Sequence, residues 1–486
     1  MTKTLTLLVP GLFVFVAGGL VAAEPARIAD KYGAPAQKLI SAALADQEGL
    51  DRLQYLCDRI GNRVSGSESL ERAIQWAAAE MKKAGLENVQ TPPVKVPKWV
   101  RGKESAVMLV PIQKPLQMLG LGMSVGTPAD GITADVIAVS DFDQLTALGR
   151  EKIAGKIVLY NPKWQGYGQT VMYRTSGASR AAQLGAVAVL VRSMTDHSLS
   201  TPHTGTLQYS EGMPKIPAAA VTVEDAAMME RLQKSGAPVR VKLWMEAHQD
   251  PDADSHNVMG EIRGSEKPNE VVVLGGHIDS WDIGQGANDD GSGIVATFQA
   301  VALIRKLGLK PRRTIRVVFW VNEENGGAGG EAYRAMVGPA IQDHVAAIEM
   351  DGGAEKPLGF GFGGGEGGPG GARGRRRDPS LPAAPVVPGT SSAAMARAVE
   401  IGKLLESIGA SSMTPGGGGS DIAPLLAGGV PGFGMRTVGT HYFDWHHTNS
   451  DTFDKIVPLE FRQNVAALAV LSYVLADMPE RIGDIR

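Results

Sequence analysis

The sequence predicts an α/β fold: a largely parallel sheet covered by helices on both faces, interrupted by a β-rich insertion. Two observations carry this. From residue 257 onward, apolar strand-like runs alternate with helical patterns, and such alternation builds parallel sheets. Between residues 105 and 250 the pattern changes to short β-rich runs with one clear helix and no catalytic constellation. The composition supplies a large core. Of 486 residues, 43% are hydrophobic and 20% charged, which excludes wholesale disorder.

The elements follow in order. Residues 1–23 read as a signal peptide: Lys3, then an apolar stretch from Leu5 to Leu20, then the small residues Val21, Ala22 and Ala23 before Glu24. The run is short and holds Pro10, which favours cleavage over a membrane anchor. The mature chain is therefore expected to be exported, periplasmic or extracellular, without stable membrane insertion. Residues 24–104 form the first part of the main domain. Leu70, Ile74, Ala77 and Met81 recur at helical spacing there, and Gly85 marks a stop. Residues 105–250 form the insertion, with strands at 156–160 and 187–191 and a helix at 176–184. Residues 251–486 complete the main domain. Strands are expected at 271–274, 314–321, 345–350 and 430–436, and helices at 292–307 and 391–409. Pro458 opens a last helix in which Phe461, Val465, Leu468, Leu471 and Leu475 share a face. Residues 361–377 hold nine glycines and four arginines and read as a flexible loop. The four glycines 416–419 allow either a plain loop or close backbone approach to a ligand.

Charge and cysteine usage narrow the function. Lysine and arginine number 48 against 51 acidic residues, for a net charge of -3. A near-neutral chain is a poor nucleic-acid binder. The single cysteine, Cys57, excludes an intramolecular disulfide, a cysteine zinc finger and an iron–sulfur centre.

Five clusters carry chemistry. His277 and Asp279 follow an apolar strand. Asn288, Asp289 and Asp290 precede a helix. Glu323 and Glu324 follow a second strand, and Asp351 a third. His446, His447 and Asp451 lie near the end of the chain. Each alone has an ordinary explanation, such as a helix cap or a solvated charge. Together they gather at the carboxyl edge of one sheet, where open α/β sheets bind ligands. The chemistry that fits is hydrolysis on a pair of divalent metals. Zinc takes imidazole nitrogen and carboxylate oxygen, and paired metals about 3.5–4 Å apart serve aminopeptidases. One carboxylate must then bridge, and each metal needs two further ligands. Three carboxylates and a hydroxide offset the charge of two Zn²⁺. Neighbouring side chains Glu323 and Glu324 diverge, so one can bind metal while the other faces the water. Asp279 can hold the second ring nitrogen of His277.

This order of motifs resembles the co-catalytic zinc exopeptidases of the aminopeptidase type, and among them the carboxypeptidase Q-like group. The likeness extends through residues 61–67, 85–89 and 96–102, and so over nearly the whole mature chain. The insertion resembles a protease-associated domain through residues 155–159, 185–190 and 217–221. The resemblance implies a three-layer αβα zinc-exopeptidase domain with a mixed, largely parallel sheet. It implies two Zn²⁺ per chain, with Asp289 bridging, His277 and Asp351 completing one site, and Glu324 and His447 the other. It makes Glu323 the general base that activates a metal-bridging water, and Asp279 the support of His277. It also implies a homodimer that hydrolyses dipeptides or short peptides. Ser420, His441, Tyr442 and His446 are candidate substrate contacts, with His446 beside the ligands rather than among them. Many relatives place a histidine after the aspartate at position 421. Ile422 stands here, as in the carboxypeptidase Q-like group. Two rival readings are a non-catalytic, receptor-like binding protein on this fold and a single-zinc cyclase or amidohydrolase. The five filled ligand positions argue against the first.

Overall fold

The computed structural model describes residues 28–363 and 392–483. The expected signal peptide lies outside them, as do residues 364–377 of the Gly/Arg-rich stretch. Eight strands form the first sheet: β1 (Glu87–Gln90), β2 (Val258–Ile262), β3 (Lys267–His277), β4 (Arg313–Trp320), β5 (His344–Glu349), β6 (Pro357–Phe362), β7 (Ser412–Pro415) and β8 (Gly432–Thr437). Their spatial order is β1-β2-β4-β3-β5-β8-β6-β7. The centre, β4-β3-β5-β8, is parallel, as is β6 with β7. The pairs β1–β2, β2–β4 and β8–β6 are antiparallel. The sheet is mixed and largely parallel, as the sequence predicts.

Helices cover both faces. Val272 and Leu274 of β3 join a core with helices Ile28–Leu44, Glu68–Lys83, Ser292–Lys306 and Pro458–Asp477. Val271 and Val273 of the same strand face the other way, toward Tyr333 of Ala328–Val337 and Leu425 of Ala423–Ala427. A strand buried on both faces needs this unbroken apolar run. Leu468 and Leu471 are fully buried in the last helix; each such side chain contributes about 1.5–3 kcal/mol. The Ser67 hydroxyl caps Glu68–Lys83 by accepting the Leu70 N–H at 3.1 Å. Gly85, at φ +78°, turns the chain beyond the helix. Cys57 is buried.

Gly361 and Phe362 correct one expectation. They end β6 instead of opening a flexible loop. The Phe362 ring is buried and stacks on Phe433 at 4.5 Å. Gly361 runs so close to Gly416 that a Cβ would collide with its carbonyl. Two of the glycines 416–419 are packed as closely. A Cβ on Gly417 would meet Gly361, and one on Gly419 would meet the Glu349 carboxylate. Their close approach is to the protein itself.

A second eight-stranded sheet takes its strands from Glu104–Val110 through Arg240–Met245. Ile157–Tyr160 and Ala188–Arg192 pair in parallel at its centre. The expected helix there is Gly177–Gln183. The polar strand His248–His256 pairs with Pro93–Val100 in a separate ribbon, and passes through the expected boundary at residue 250. Its sequence has no apolar alternation to announce it. No helix among the described residues is long and apolar enough to cross a membrane.

Candidate metal centre

The parallel strands deliver their carboxyl ends to one edge. β3 ends at His277, which lies beside Trp320 of β4. The chain beyond β4 carries Asn322 to Glu324, and the chain beyond β5 carries Asp351. Asp289 and Asp290 sit in the turn Ala287–Gly291, ahead of helix Ser292–Lys306. His446 and His447 follow the short helix Tyr442–Trp445. Asn322 and His447 adopt positive φ, +69° and +61°, a costly conformation for such residues that clusters at functional sites.

Asp289 stands at the centre. Its Oδ1 is 3.1 Å from His277 Nε2, and its Oδ2 is 3.1 Å from His447 Nε2. Asp351 Oδ1 lies 3.5 Å from His277 Nε2. Glu324 Oε2 lies 3.1 Å from His447 Nε2. The five residues expected as ligands therefore converge on one carboxylate, two on each side. Two further groups join this convergence. Asp290 has a carboxylate oxygen near His277 and Asp351, and His446 Nε2 lies 3.5 Å from Asp289 Oδ2.

The donor set fits zinc. Imidazole nitrogens and carboxylate oxygens are its usual ligands. Asp289 Oδ2 and His447 Nε2 are buried and face each other at 3.1 Å without a well-aligned hydrogen bond, a cost a bound cation would remove. The electrostatics agree. Burial opposes a positive charge on His447, but Glu324 and Asp289 outweigh it and lift the ring to about 9. Burial pushes Asp351 up to about 7, and the Asp289 and Glu323 carboxylates add to it. Glu349, buried and beside Asp351, rises to about 8. So many buried carboxylates draw positive charge to one point.

Supporting groups hold this geometry. Asp279 differs from expectation: its backbone carbonyl, not its carboxylate, meets His277 Nδ1, at 2.9 Å. The nearest carboxylate oxygen is 3.8 Å away. That carboxylate is committed elsewhere. Oδ1 accepts the Glu323 N–H at 3.0 Å, and Oδ2 accepts the Glu324 N–H and the Ser65 hydroxyl, both at 3.2 Å. It clamps the turn that presents the two glutamates. Asp451 does the same for Asp289, accepting the N–H groups of Asn288 at 2.7 Å and Asp289 at 3.1 Å. Arg63 is fully buried, and its guanidinium donates to four carbonyls: Ile278 at 2.8 Å, Gly61 at 2.8 Å, Gln285 at 2.7 Å and Gly286 at 3.0 Å. One guanidinium thus ties the loop after β3 to the turn before Asp289.

The candidate substrate contacts divide. Tyr442 is buried; burial and then the charges of Asp289 and Asp351 hold its hydroxyl well above the usual range. His446 is buried and stacks on His447 at 3.6 Å. Ser420 is half-buried, next to buried Asp421. His441 points outward, with its side chain 57% exposed and Nδ1 2.8 Å from Asp444. The second sheet's segment supplies neighbours that no motif announced. Tyr167 packs its ring against His446 at 5.1 Å, and Thr204 and Arg174 reach His447.

A three-layer α/β domain with imidazoles and carboxylates converging at its strand ends defines a zinc-dependent metallopeptidase. A model of peptidase family M28 matches residues 257–472. Carboxypeptidase Q of Bos taurus is 40% identical over 454 residues, 93% of this chain and 90% of its own length. The chain belongs to peptidase family M28. The crystal structure of a peptidase M28 precursor from Shewanella amazonensis SB2B superposes with a TM-score of 0.84 at 33% identity, over 93% of this chain and 98% of that one. BSAP, a zinc aminopeptidase from Bacillus subtilis, shares the fold at a TM-score of 0.63 and 18% identity, over 90% and 97%. The protein is a zinc metallo-exopeptidase, and peptides are its substrates.

Proposed function

We propose that the protein is an exported di-zinc exopeptidase that hydrolyses dipeptides or short peptides. Asp289 would be shared by the two zinc ions, with His277 and Asp351 holding one and Glu324 and His447 the other. The observation that carries this is the single Asp289 carboxylate with one oxygen 3.1 Å from each of two imidazoles. Export rests on the Lys3 and Leu5 to Leu20 pattern. The homodimer, and the second sheet as a protease-associated domain, rest on the sequence resemblance.

Bound zinc supplies a Lewis acid for the scissile carbonyl and lowers the pKa of water toward neutrality. The rest falls to the chain. Glu323 takes a proton from the attacking water as the new C–O bond forms. It returns that proton to the amine as the C–N bond breaks. Asp279 fixes the Glu323 backbone by accepting its N–H. The Tyr442 hydroxyl, kept neutral, donates to the developing oxyanion.

Glu323→Gln tests this. Turnover should fall by about 10²–10⁴-fold while zinc content stays unchanged. An active Gln variant would sink the assignment. Matched dipeptides with free and acetylated N-termini then decide which end is read. Cleavage of the free form alone means the amine is recognised; cleavage of both means the carboxylate end dominates.

A further inference from the structure

The second sheet's segment reaches into the metal centre through Thr204, which lies between strands Ala188–Arg192 and Ala218–Val221. The Thr204 N–H donates to the His447 carbonyl at 3.0 Å. In return, the Thr204 carbonyl accepts from His447 Nδ1 at 3.2 Å. This two-way clamp grips a residue at φ +61°. Thr204 is itself anchored, since its hydroxyl donates to the Gly120 carbonyl at 2.6 Å. Arg101 donates to the same Gly120 carbonyl at 2.6 Å and pairs with Asp282 at 2.6 Å.

Arg174 backs the clamp. It is 1% exposed. Its Nη1 lies 3.4 Å from the Thr204 carbonyl and 3.5 Å from His447 Nδ1, and Nη2 donates to the Tyr167 hydroxyl at 2.8 Å. Gly205, at φ +134°, leaves room for both neighbours. A Cβ there would collide with the guanidinium and stand 2.7 Å from His447 Nδ1.

We propose that the Thr204–Gly205 peptide and Arg174 position His447 for metal binding, so that the second sheet's segment completes the metal centre. This rests on the reading of His447 as a ligand. A carbonyl that accepts Nδ1–H fixes the tautomer and aims the Nε2 lone pair at the space shared with Asp289 and Glu324. The Arg174 fork bonds the same carbonyl and keeps it turned to the ring. All three are positioning groups, since each acts through His447.

The test is zinc affinity by chelator competition, with zinc per chain measured directly. Gly205→Ala and Arg174→Ala should bind about 10–100-fold more weakly the zinc that His447→Ala loses. On zinc-saturated protein KM should stay at the wild-type value. Arg174→Lys should recover part of the affinity. Gly168→Ala, whose Cβ meets nothing within 4 Å, should match wild type. Wild-type affinity in both Gly205→Ala and Arg174→Ala, with zinc lost in His447→Ala, would overturn the proposal. So would equal loss in Gly168→Ala. Unchanged zinc in His447→Ala would instead overturn the ligand assignment. If Gly205→Ala fails to fold, Arg174→Ala decides.

Discussion

Asp279→Asn separates two roles of one residue, its carbonyl and its carboxylate. The Asp279 carbonyl meets the His277 ring, and the substitution keeps that carbonyl. The Asp279 carboxylate accepts the Glu323 and Glu324 N–H groups at 3.0 and 3.2 Å. An amide offers one acceptor oxygen, so its NH₂ must face one of those N–H groups. One charge-assisted bond is weakened, at about 1 kcal/mol. The other is lost with a buried donor left unpaired, at about 2 kcal/mol. If the total of about 3 kcal/mol falls on the turn that aims Glu323, kcat drops by about 10²-fold. The assay is steady-state dipeptide hydrolysis in saturating zinc, with zinc per chain measured on the same sample. Zinc at the wild-type level with reduced kcat is the expected pair. Wild-type turnover would refute the reasoning. Zinc per chain below the wild-type level would refute it equally, because the effect would then lie in metal binding.

Two further predictions concern stability. Arg63→Lys replaces five donors in a fork with three on a point, against four carbonyls, two of them buried. At least one carbonyl loses its donor, so unfolding free energy should fall by about 1–3 kcal/mol in denaturant melts; an unchanged midpoint would deny the clamp. His344 is buried with Nε2 3.0 Å from the Tyr333 hydroxyl, and burial pushes it down to about 4. Below its unfolded value of about 6.5 the unfolded chain takes the proton and the folded chain does not. Stability is therefore lost as pH falls through that window, by about 2 kcal/mol between pH 7 and pH 5. His344→Gln should remove that share of the slope, and an identical pH dependence would contradict it.

The convergence of these imidazoles and carboxylates is legible in the sequence because they sit at local landmarks. His277, Glu324 and Asp351 each follow an apolar strand, Asp289 precedes a helix, and parallel strands send such ends to one edge. What holds them was not legible. The HxD spacing suggests that Asp279 serves His277, but its carboxylate reaches residues 323 and 324, and chain-distant backbone contacts leave no local pattern. Arg63 lay within a recognisable motif, yet its acceptors are carbonyls at 61, 278, 285 and 286, and any residue type supplies a carbonyl. Thr204 and Arg174 act the same way from a segment without catalytic motifs. Gly361 reads as loop because its surroundings are glycine-rich, whereas its lack of a Cβ serves strand contact with Gly416.

The central claim is that one aspartate is shared by two zinc ions. Diffraction from zinc-loaded crystals at the zinc absorption edge tests it most directly. Two anomalous peaks about 3.5–4 Å apart, one against each oxygen of Asp289, are predicted. A single peak, or a pair that Asp289 does not join, would contradict the account.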